Sequence, residues 1–325
     1  MEADANTSTK QETTAPAPPP PPPRMPALPW TVRFQLFVLV AATDIAQRED
    51  GTVNRFAFSL ADRQARARPR PDAKSGVRSV DVTVDASRGL WARVFSPTTS
   101  PASTHVTAAP RGGVLPRRRV RALLRGVGPA GRHVRAPLCR ARSAPSWSRA
   151  GGNIAHHVAH RWTSTSSSSP ELVRVRVRLA GVVLIQPFFG GEERTGSELR
   201  LEGVAPVVSM RRADWSWRAF LPRGGDGAGR NHPAAHVTGE AAPEPELAEG
   251  FPPAVVVVGG FDPLQDWQRR YAAMLRRKGK AVRVVELPDA FHGFYIFPEL
   301  HDAGRLVQEI KAFVEETEST AGGAE

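Results

Sequence analysis

The chain has 325 residues, of which 41% are hydrophobic, so it is long enough to bury the core of one large α/β domain or two small ones. Its single cysteine, Cys139, excludes an internal disulfide framework and favours a reducing compartment, for which we predict the cytoplasm. A net charge of +12 is typical of proteins that bind nucleic acid or acidic membranes, but residues 86–170 alone carry +14, with 14 Arg and no Asp, Glu or Lys. The rest of the chain carries −2, so its composition supports neither class of partner.

The N-terminal part divides into a tail and the start of a folded region. Residues 1–28 contain a run of prolines, and we expect a disordered or polyproline II tail there. In residues 29–97, the apolar run Phe34–Ala42 is about half as long as a membrane span requires, so we predict a cap helix with one packed apolar face. Val77–Asp85 and Gly89–Pro97 alternate apolar and polar residues, which predicts an antiparallel hairpin.

Residues 98–149 form an Arg-rich segment in which both periodicities are lost, because helix formers are mixed with repeated Gly and Pro. We expect this segment to be disordered and part of the central sheet to be missing with it. Arg117, Arg118 and Arg119 could contact phosphates. No Phe, Trp or Tyr lies between Arg111 and Pro145 to stack on bases, so we predict no specific nucleic-acid partner.

Regular patterns return in residues 150–318, where continuous apolar runs alternate with helical segments. We predict, in chain order, a helix at Gly151–Trp162, buried strands at Leu179–Pro187 and Ala254–Gly260, a helix at Leu264–Lys278, a strand at Ala281–Pro288 and a last helix at Asp302–Glu316. Residues 319–325 are expected to form a flexible tail. Continuous apolar strands are typical of parallel sheets buried on both faces. The alternation therefore predicts an α/β fold with a mostly parallel central sheet flanked by helices.

Two polar residues follow consecutive strands of this predicted sheet. Asp262 comes directly after the second buried strand, and His292 follows the third strand 30 residues later. Ligands of open α/β sheets bind at the carboxyl ends of the strands. An Asp followed by a His is also the second half of the Ser, Asp, His order of α/β hydrolases. The alternative is a helix-capping Asp and an ordinary loop His.

Several stretches together resemble the plant carboxylesterases of the hormone-sensitive-lipase-like group, whose relatives include the gibberellin receptors. They are LPWTVRFQL, DGTVNRF, AGGNIAHHVAHRW, LIQPFFGGEERT, VVVGGFDPLQDWQRRYAAMLRRKGK and HGFYIFPEL. The resemblance implies an α/β-hydrolase fold, hydrolysis of small carboxylic esters by a Ser–His–Asp triad, and no metal or organic cofactor. It assigns Asp262 and His292 to the triad. Gibberellin receptors have typically lost that histidine.

The chain departs from the family at the nucleophile. The family's elbow has the pattern G-D-S-A-G-G-N, and alignment on AGGN places Arg149 where the nucleophilic Ser belongs. A guanidinium is always protonated and cannot attack a carbonyl. Trp147 replaces the Gly that permits the tight turn, and Ser146 and Ser148 are not at its apex. The sequence therefore predicts a poor or inactive esterase, and whether this chain is an enzyme stays open.

The family's H-G-G-G oxyanion loop is also absent. One choice of codons for Gly112–Leu123, read in the neighbouring frame, encodes V-V-Y-F-H-G-G-G-F-A-L, which contains the missing motif. We therefore hypothesise that Arg111–Arg149 arose from a frame shift, since shifted GC-rich DNA encodes Arg, Ala, Gly and Pro without acidic residues. The alternatives to an esterase are a binding-only relative and a mis-spliced or frame-shifted product.

The predicted helix at Gly151–Trp162 carries a group of histidines whose spacing partly matches a zinc motif. His156 and His160 are four residues apart, as in the H-E-x-x-H zinc motif, but His157 stands where the Glu general base belongs. We therefore predict no metal site. The partner that we expect is a small-molecule ester or another hydrophobic ligand, with no membrane partner.

Overall fold

The computed structural model describes residues 23–54, 69–70, 77–85, 90–97, 123–126, 151–165, 179–222, 224, 229–238 and 244–322. Its elements are α1 (Trp30–Ala46), β1 (Val77–Asp85), β2 (Leu90–Pro97), β3 (Leu123–Gly126), α2 (Gly151–Thr165), β4 (Val182–Ile185), α3 (Gly196–Arg200), α4 (Met210–Phe220), β5 (Ala254–Phe261), α5 (Gln265–Arg277), β6 (Val282–Phe291) and α6 (His301–Gly322). A short 3-10 helix, Phe294–Ile296, lies between β6 and α6.

The sheet that carries the predicted site contains β4, β5 and β6, in that order, and all its pairings are parallel. The central strand β5 is an apolar run, and Val255–Val258 are completely buried. α2 packs against β4, whereas α5 packs against β5 and β6. Trp267, Tyr271 and Leu275 are among the fully buried residues of α5. The predicted α/β class with a parallel sheet is therefore confirmed.

A second sheet is antiparallel and has the order β1, β2, β3. Val77 pairs with Pro97 and Val82 with Ala92, so the predicted hairpin is confirmed. β3 pairs with β2 and lies inside the Arg-rich segment, where the sequence predicts no element. The other residues of that segment, and residues 1–22 of the tail, lie outside the described residues.

α1 confirms the predicted N-terminal helix. Val32 and Leu36 are buried, whereas Trp30 is 77% and Phe34 is 61% exposed, so only one of the two apolar sides of α1 is packed within the described residues. Arg212 of α4 donates two hydrogen bonds to Asp44, both of 2.7 Å, and thereby ties the two helices together. This hydrogen-bonded guanidinium lowers the pKa of the Asp44 carboxyl. Within the described part of the chain, no helix combines the length and the apolarity that a membrane span requires.

Three helical features differ from the sequence-based expectation. α3 and α4 were not predicted, because five and eleven residues are too short for a clear apolar period. Their caps were nevertheless visible: Thr195 and Glu198 form a capping box, and the Ser209 hydroxyl accepts the amide of the third helical residue of α4. α6 extends to Gly322, into the stretch expected to be a flexible tail.

Candidate functional site

Asp262 lies at the carboxyl edge of the parallel sheet, immediately after β5, and its side chain is completely buried. Oδ1 accepts the backbone N–H of Leu264 at 3.0 Å. Oδ2 accepts Nε2 of Gln268, from α5, at 2.7 Å. A buried carboxylate needs such donors to replace its lost hydration. The local turn and the first turns of α5 thus hold this carboxyl group in one orientation.

His292 follows β6 directly and is 1% exposed. Its Nδ1 lies 2.8 Å from Oδ2 of Asp262. Because a carboxylate accepts hydrogen bonds, the geometry assigns the proton of the neutral ring to Nδ1 and leaves Nε2 with a lone pair. Nε2 has no hydrogen-bond partner within the described part of the chain. The arrangement can therefore accept a proton at Nε2 while Asp262 stabilises the resulting imidazolium.

The backbone of His292 is held by a residue that the sequence analysis did not single out. Gln186 follows β4, is completely buried, and donates from Nε2 to the carbonyl oxygen of Phe291 at 3.1 Å. Its Oε1 accepts the N–H of Gly293 at 2.8 Å. Gln186 carries no sequence signal for this role, because the bonded residues are more than 100 positions away in the sequence, whereas Gln268 bonds Asp262 from the adjacent helix and was also not singled out.

Aromatic side chains form the wall beside this pair. The ring of Phe188 lies edge-on to the imidazole of His292, with centroids 5.9 Å apart, and contacts Trp217 at 5.4 Å. Trp217 borders a cavity of about 460 Å³. Two guanidiniums that line this cavity, those of Arg194 and Arg230, already donate to Asp214 at 2.6 and 2.7 Å. Phe188 thus gives the imidazole of His292 one apolar neighbour, and the guanidiniums of Arg194 and Arg230 are engaged in ion pairs.

The start of α2 lies beside the end of β4. A Cβ at Gly152 would lie 2.8 Å from Cα of Pro187, so only glycine permits this close approach of helix and strand. Nδ2 of Asn153 donates to the carbonyl oxygens of Phe188 and Ala234, at 3.1 and 2.9 Å. The helix that would follow a nucleophile elbow is therefore fixed at the edge that carries Asp262 and His292. Arg149, predicted at the nucleophile position, lies outside the described residues.

The histidines of α2 have structural partners. His156 is completely buried, and its Nδ1 lies 2.9 Å from the hydroxyl of Tyr271. Nε2 of His160 lies 2.9 Å from the carbonyl oxygen of Glu246, so its N–H donates there. Burial lowers the pKa of His156 well below its usual value, and it also lowers that of His157. No group of three His, Cys, Asp or Glu side chains among the residues that the structure describes is arranged to hold a metal ion.

A parallel sheet with an Asp loop and a His loop at its carboxyl edge is the arrangement expected of an α/β-hydrolase fold. A family model described as alpha/beta hydrolase fold matches residues 148–296. Gibberellin receptor GID1C of Arabidopsis thaliana is 33% identical over 329 residues, which cover 84% of this chain and 90% of the receptor. The chain therefore belongs to the α/β-hydrolase family that contains the gibberellin receptors and the plant carboxylesterases.

Other relatives carry names of both kinds. The gibberellin receptor GID1 of Oryza sativa subsp. japonica is 30% identical over 83% of this chain and 90% of the receptor. Carboxylesterase 20 of Arabidopsis thaliana is 37% identical over 51% of this chain and 48% of that protein. Among solved structures, an esterase of Pyrobaculum calidifontis matches with a TM-score of 0.42 and 25% identity, over 53% of this chain and 50% of that chain. This likeness spans about half the length of the solved structure.

Proposed function

We propose that this chain is a carboxylesterase-type protein whose site keeps the proton-transfer half of a Ser–His–Asp triad and takes small carboxylic esters or similar apolar ligands. Asp262 and His292 are the two members that we assign. The observation that supports the proposal is the 2.8 Å contact between Nδ1 and Oδ2, with Nε2 buried and unpartnered among the described residues. In a serine esterase this nitrogen takes the proton of the attacking hydroxyl and later gives it to the leaving group.

We infer that hydrolysis by the chain as written is impaired. Arg149 occupies the predicted position of the nucleophile, and an H-G-G-G string for the oxyanion is absent from the sequence. Without a nucleophile the covalent route through an acyl-enzyme is closed. Without oxyanion donors a further factor of about 10²–10³ in rate is lost. We propose that the reaction needs no metal or organic cofactor. The single cysteine of the chain favours the cytoplasm as its location.

Ligand binding without hydrolysis is the second candidate. It is supported by Arg149 and by the similarity to proteins named gibberellin receptors over 90% of their length. The buried pair of Asp262 and His292 favours the esterase reading, since a binding-only site has no need of a proton relay. Both candidates place a small apolar ligand beside Phe188 and His292, and they differ in the fate of an ester bound there.

The test is hydrolysis of p-nitrophenyl acetate and p-nitrophenyl butyrate by the purified chain. We expect a rate indistinguishable from buffer, and the same rate for His292→Ala. Turnover that disappears in His292→Ala would show an active esterase and contradict the inferred impairment. Sequencing of the genomic DNA for residues 98–149 tests the frame-shift hypothesis, because H-G-G-G encoded in the neighbouring frame would support it.

A further inference from the structure

Gln186 has an unusual backbone conformation. Its φ is 44°, and it is the one non-glycine residue with a positive φ among those that the structure describes. Residues with a Cβ rarely adopt a positive φ, and such backbone strain persists only where the surrounding structure holds it. Gln186 is completely buried at the end of β4, and its N–H donates to the carbonyl oxygen of Val257 at 3.0 Å. The contacts around Gln186 therefore hold its backbone in a strained conformation.

The amide of Gln186 spans the residues on both sides of His292. It donates to the carbonyl oxygen of Phe291 and accepts the N–H of Gly293. Gly293 itself has a φ of 84°, so the chain makes a sharp turn immediately after His292. Two hydrogen bonds from one rigid amide thus restrain the backbone that carries the imidazole, in addition to the bond that Asp262 makes with the ring.

This bridge crosses the central strand. Gln186 follows β4 and His292 follows β6, so β5 lies between them. A Cβ on Gly259 of β5 would lie 2.5 Å from Nε2 of Gln186 and 2.4 Å from the carbonyl oxygen of Ala290. Glycine at this point of β5 leaves the space through which the amide reaches the His292 loop. The strained residue, the glycine and the turn therefore form one arrangement.

We propose that Gln186 is a positioning residue for His292. Its amide sets the backbone of Phe291–Gly293, so that Nδ1 meets Asp262 and Nε2 keeps one direction. These contacts all lie within the chain and are present whether or not an ester is bound. Its consequence for ester hydrolysis rests on the proposed function, because a fixed imidazole matters for a proton relay and a 1 Å displacement of a reacting group greatly reduces a rate.

The first experiment measures the imidazole in the full chain by NMR, with ¹⁵N-labelled histidine. The readout is the solvent-exchange rate of the His292 Nδ1 proton, assigned by its loss in His292→Ala. Gln186→Met keeps the length of the side chain and removes both hydrogen bonds. Gln186→Asn tolerates a positive φ but is one methylene too short to reach both partners. We expect exchange to become at least about tenfold faster in both variants, since two hydrogen bonds that restrain the loop are lost.

The matched control is Gln265→Met. Gln265 is also a buried glutamine, and its Nε2 donates to the carbonyl oxygen of Gly260 at 2.8 Å, away from the residues that flank His292. In this variant we expect the His292 Nδ1 proton to exchange as fast as in the parent chain. Unchanged exchange in both Gln186 variants would overturn the proposal, as would equal acceleration in the control. If Gln186→Met does not fold, Gln186→Asn decides, because it removes the bridge without adding backbone strain.

A second readout separates this proposal from the proposed function. In a chain repaired to hydrolyse esters, as described in the Discussion, Gln186→Asn is expected to lower kcat by about tenfold or more with KM nearly unchanged, since His292 acts in the transition state. A rise in KM alone would overturn the positioning role. A repaired chain that folds but hydrolyses nothing would overturn the proposed function, and the exchange rates would still decide the role of Gln186.

Discussion

Two buried histidines in this fold differ in the chemistry of their partner. His292 and His156 are 1% and 0% exposed, and each has an Nε2 without a partner among the described residues. Nδ1 of His292 contacts a carboxylate at 2.8 Å, whereas Nδ1 of His156 contacts the hydroxyl of Tyr271 at 2.9 Å. The distances are nearly equal, so the geometry of the hydrogen bond does not distinguish the two sites. The charge of the partner group distinguishes them.

The partner decides whether the ring can carry a proton. Asp262 offers His292 a carboxylate, which would stabilise an imidazolium in the proposed proton relay. Burial raises the pKa of the Tyr271 hydroxyl, so that group stays neutral. Burial together with the neighbouring histidines lowers the pKa of His156, so its ring stays neutral as well. We therefore assign His156 to packing and His292 to the proposed relay, and the following predictions test this difference.

The largest effect is expected from restoring the missing half of the site. Residues 98–149 are replaced by the corresponding segment of a plant carboxylesterase, which supplies H-G-G-G and a G-D-S elbow. We expect p-nitrophenyl ester turnover to rise by at least about 10³–10⁴-fold over the parent chain, because nucleophile and oxyanion donors are both regained. Serine-directed organophosphates should abolish it.

Substitutions in the repaired chain compare the two histidines directly. His292→Ala and Asp262→Asn should each remove most of the gained activity, whereas His156→Phe combined with Tyr271→Phe should change kcat by less than about tenfold. If the repaired chain folds, as judged by circular dichroism, but hydrolyses nothing, then Asp262 and His292 are not a catalytic pair and the binding-only candidate gains support.

The pH dependence of stability should report the neutral histidines. Burial lowers the pKa values of His156, His157 and His236 in the folded chain, so below about pH 6.5 the unfolded chain binds more protons than the folded one. The free energy of unfolding should therefore have its full value above that pH and should fall as the pH decreases below it. The slope should approach at most about 1.4 kcal/mol per pH unit for each histidine that stays neutral in the folded chain.

Urea unfolding at pH 7.5, 6.5 and 5.5 measures this slope. The double variant His156→Phe and Tyr271→Phe should reduce it by the contribution of one histidine, because the lowered pKa values of His157 and His236 remain. A double variant with the same slope as the parent chain would show that His156 does not carry the effect.

A smaller loss is expected from Tyr271→Phe alone. The substitution leaves the ring of His156 without its hydrogen bond in a fully buried place, which costs about 1–3 kcal/mol. Adding His156→Phe should recover part of this loss, since both polar groups are then absent. The measurement is urea unfolding at pH 7.5. Strictly additive losses of the two single variants would contradict a coupling between the two side chains.

The smallest effect should come from a charged pair outside the core. Asp44 and Arg212 have side chains that are 31% and 16% exposed, and their ion pair joins α1 to α4. Water and salt screen such a pair, so Asp44→Asn should lower the free energy of unfolding by less than about 1 kcal/mol. Salt at about 1 M should reduce the difference further. A loss above about 2 kcal/mol at low salt would show that the docking of α1 depends on this pair.

The sequence predicted the parallel part of the fold well, because its signals are local. The valine run of β5 and the amphipathic pattern of α5 are continuous stretches, and both elements lie where their patterns predict them. β3 was missed because four residues between Gly, Pro and Arg hold no period. α3 and α4 were missed for the same reason, although the capping box of Thr195 was readable.

The sequence by itself determined the class of fold and the two candidate site residues. Strand periodicity and the position of a polar residue just after a strand are properties of neighbouring residues, and they made Asp262 and His292 candidates. The resemblance to plant carboxylesterases then assigned both to a triad. Only the tertiary structure decided which histidine has a carboxylate partner, and which amides hold the pair. Gln186 lies 105 residues before Phe291, and no local pattern links the two. Such hydrogen bonds exist only after β4, β5 and β6 have paired, because the sheet brings the ends of separate strands to a common edge.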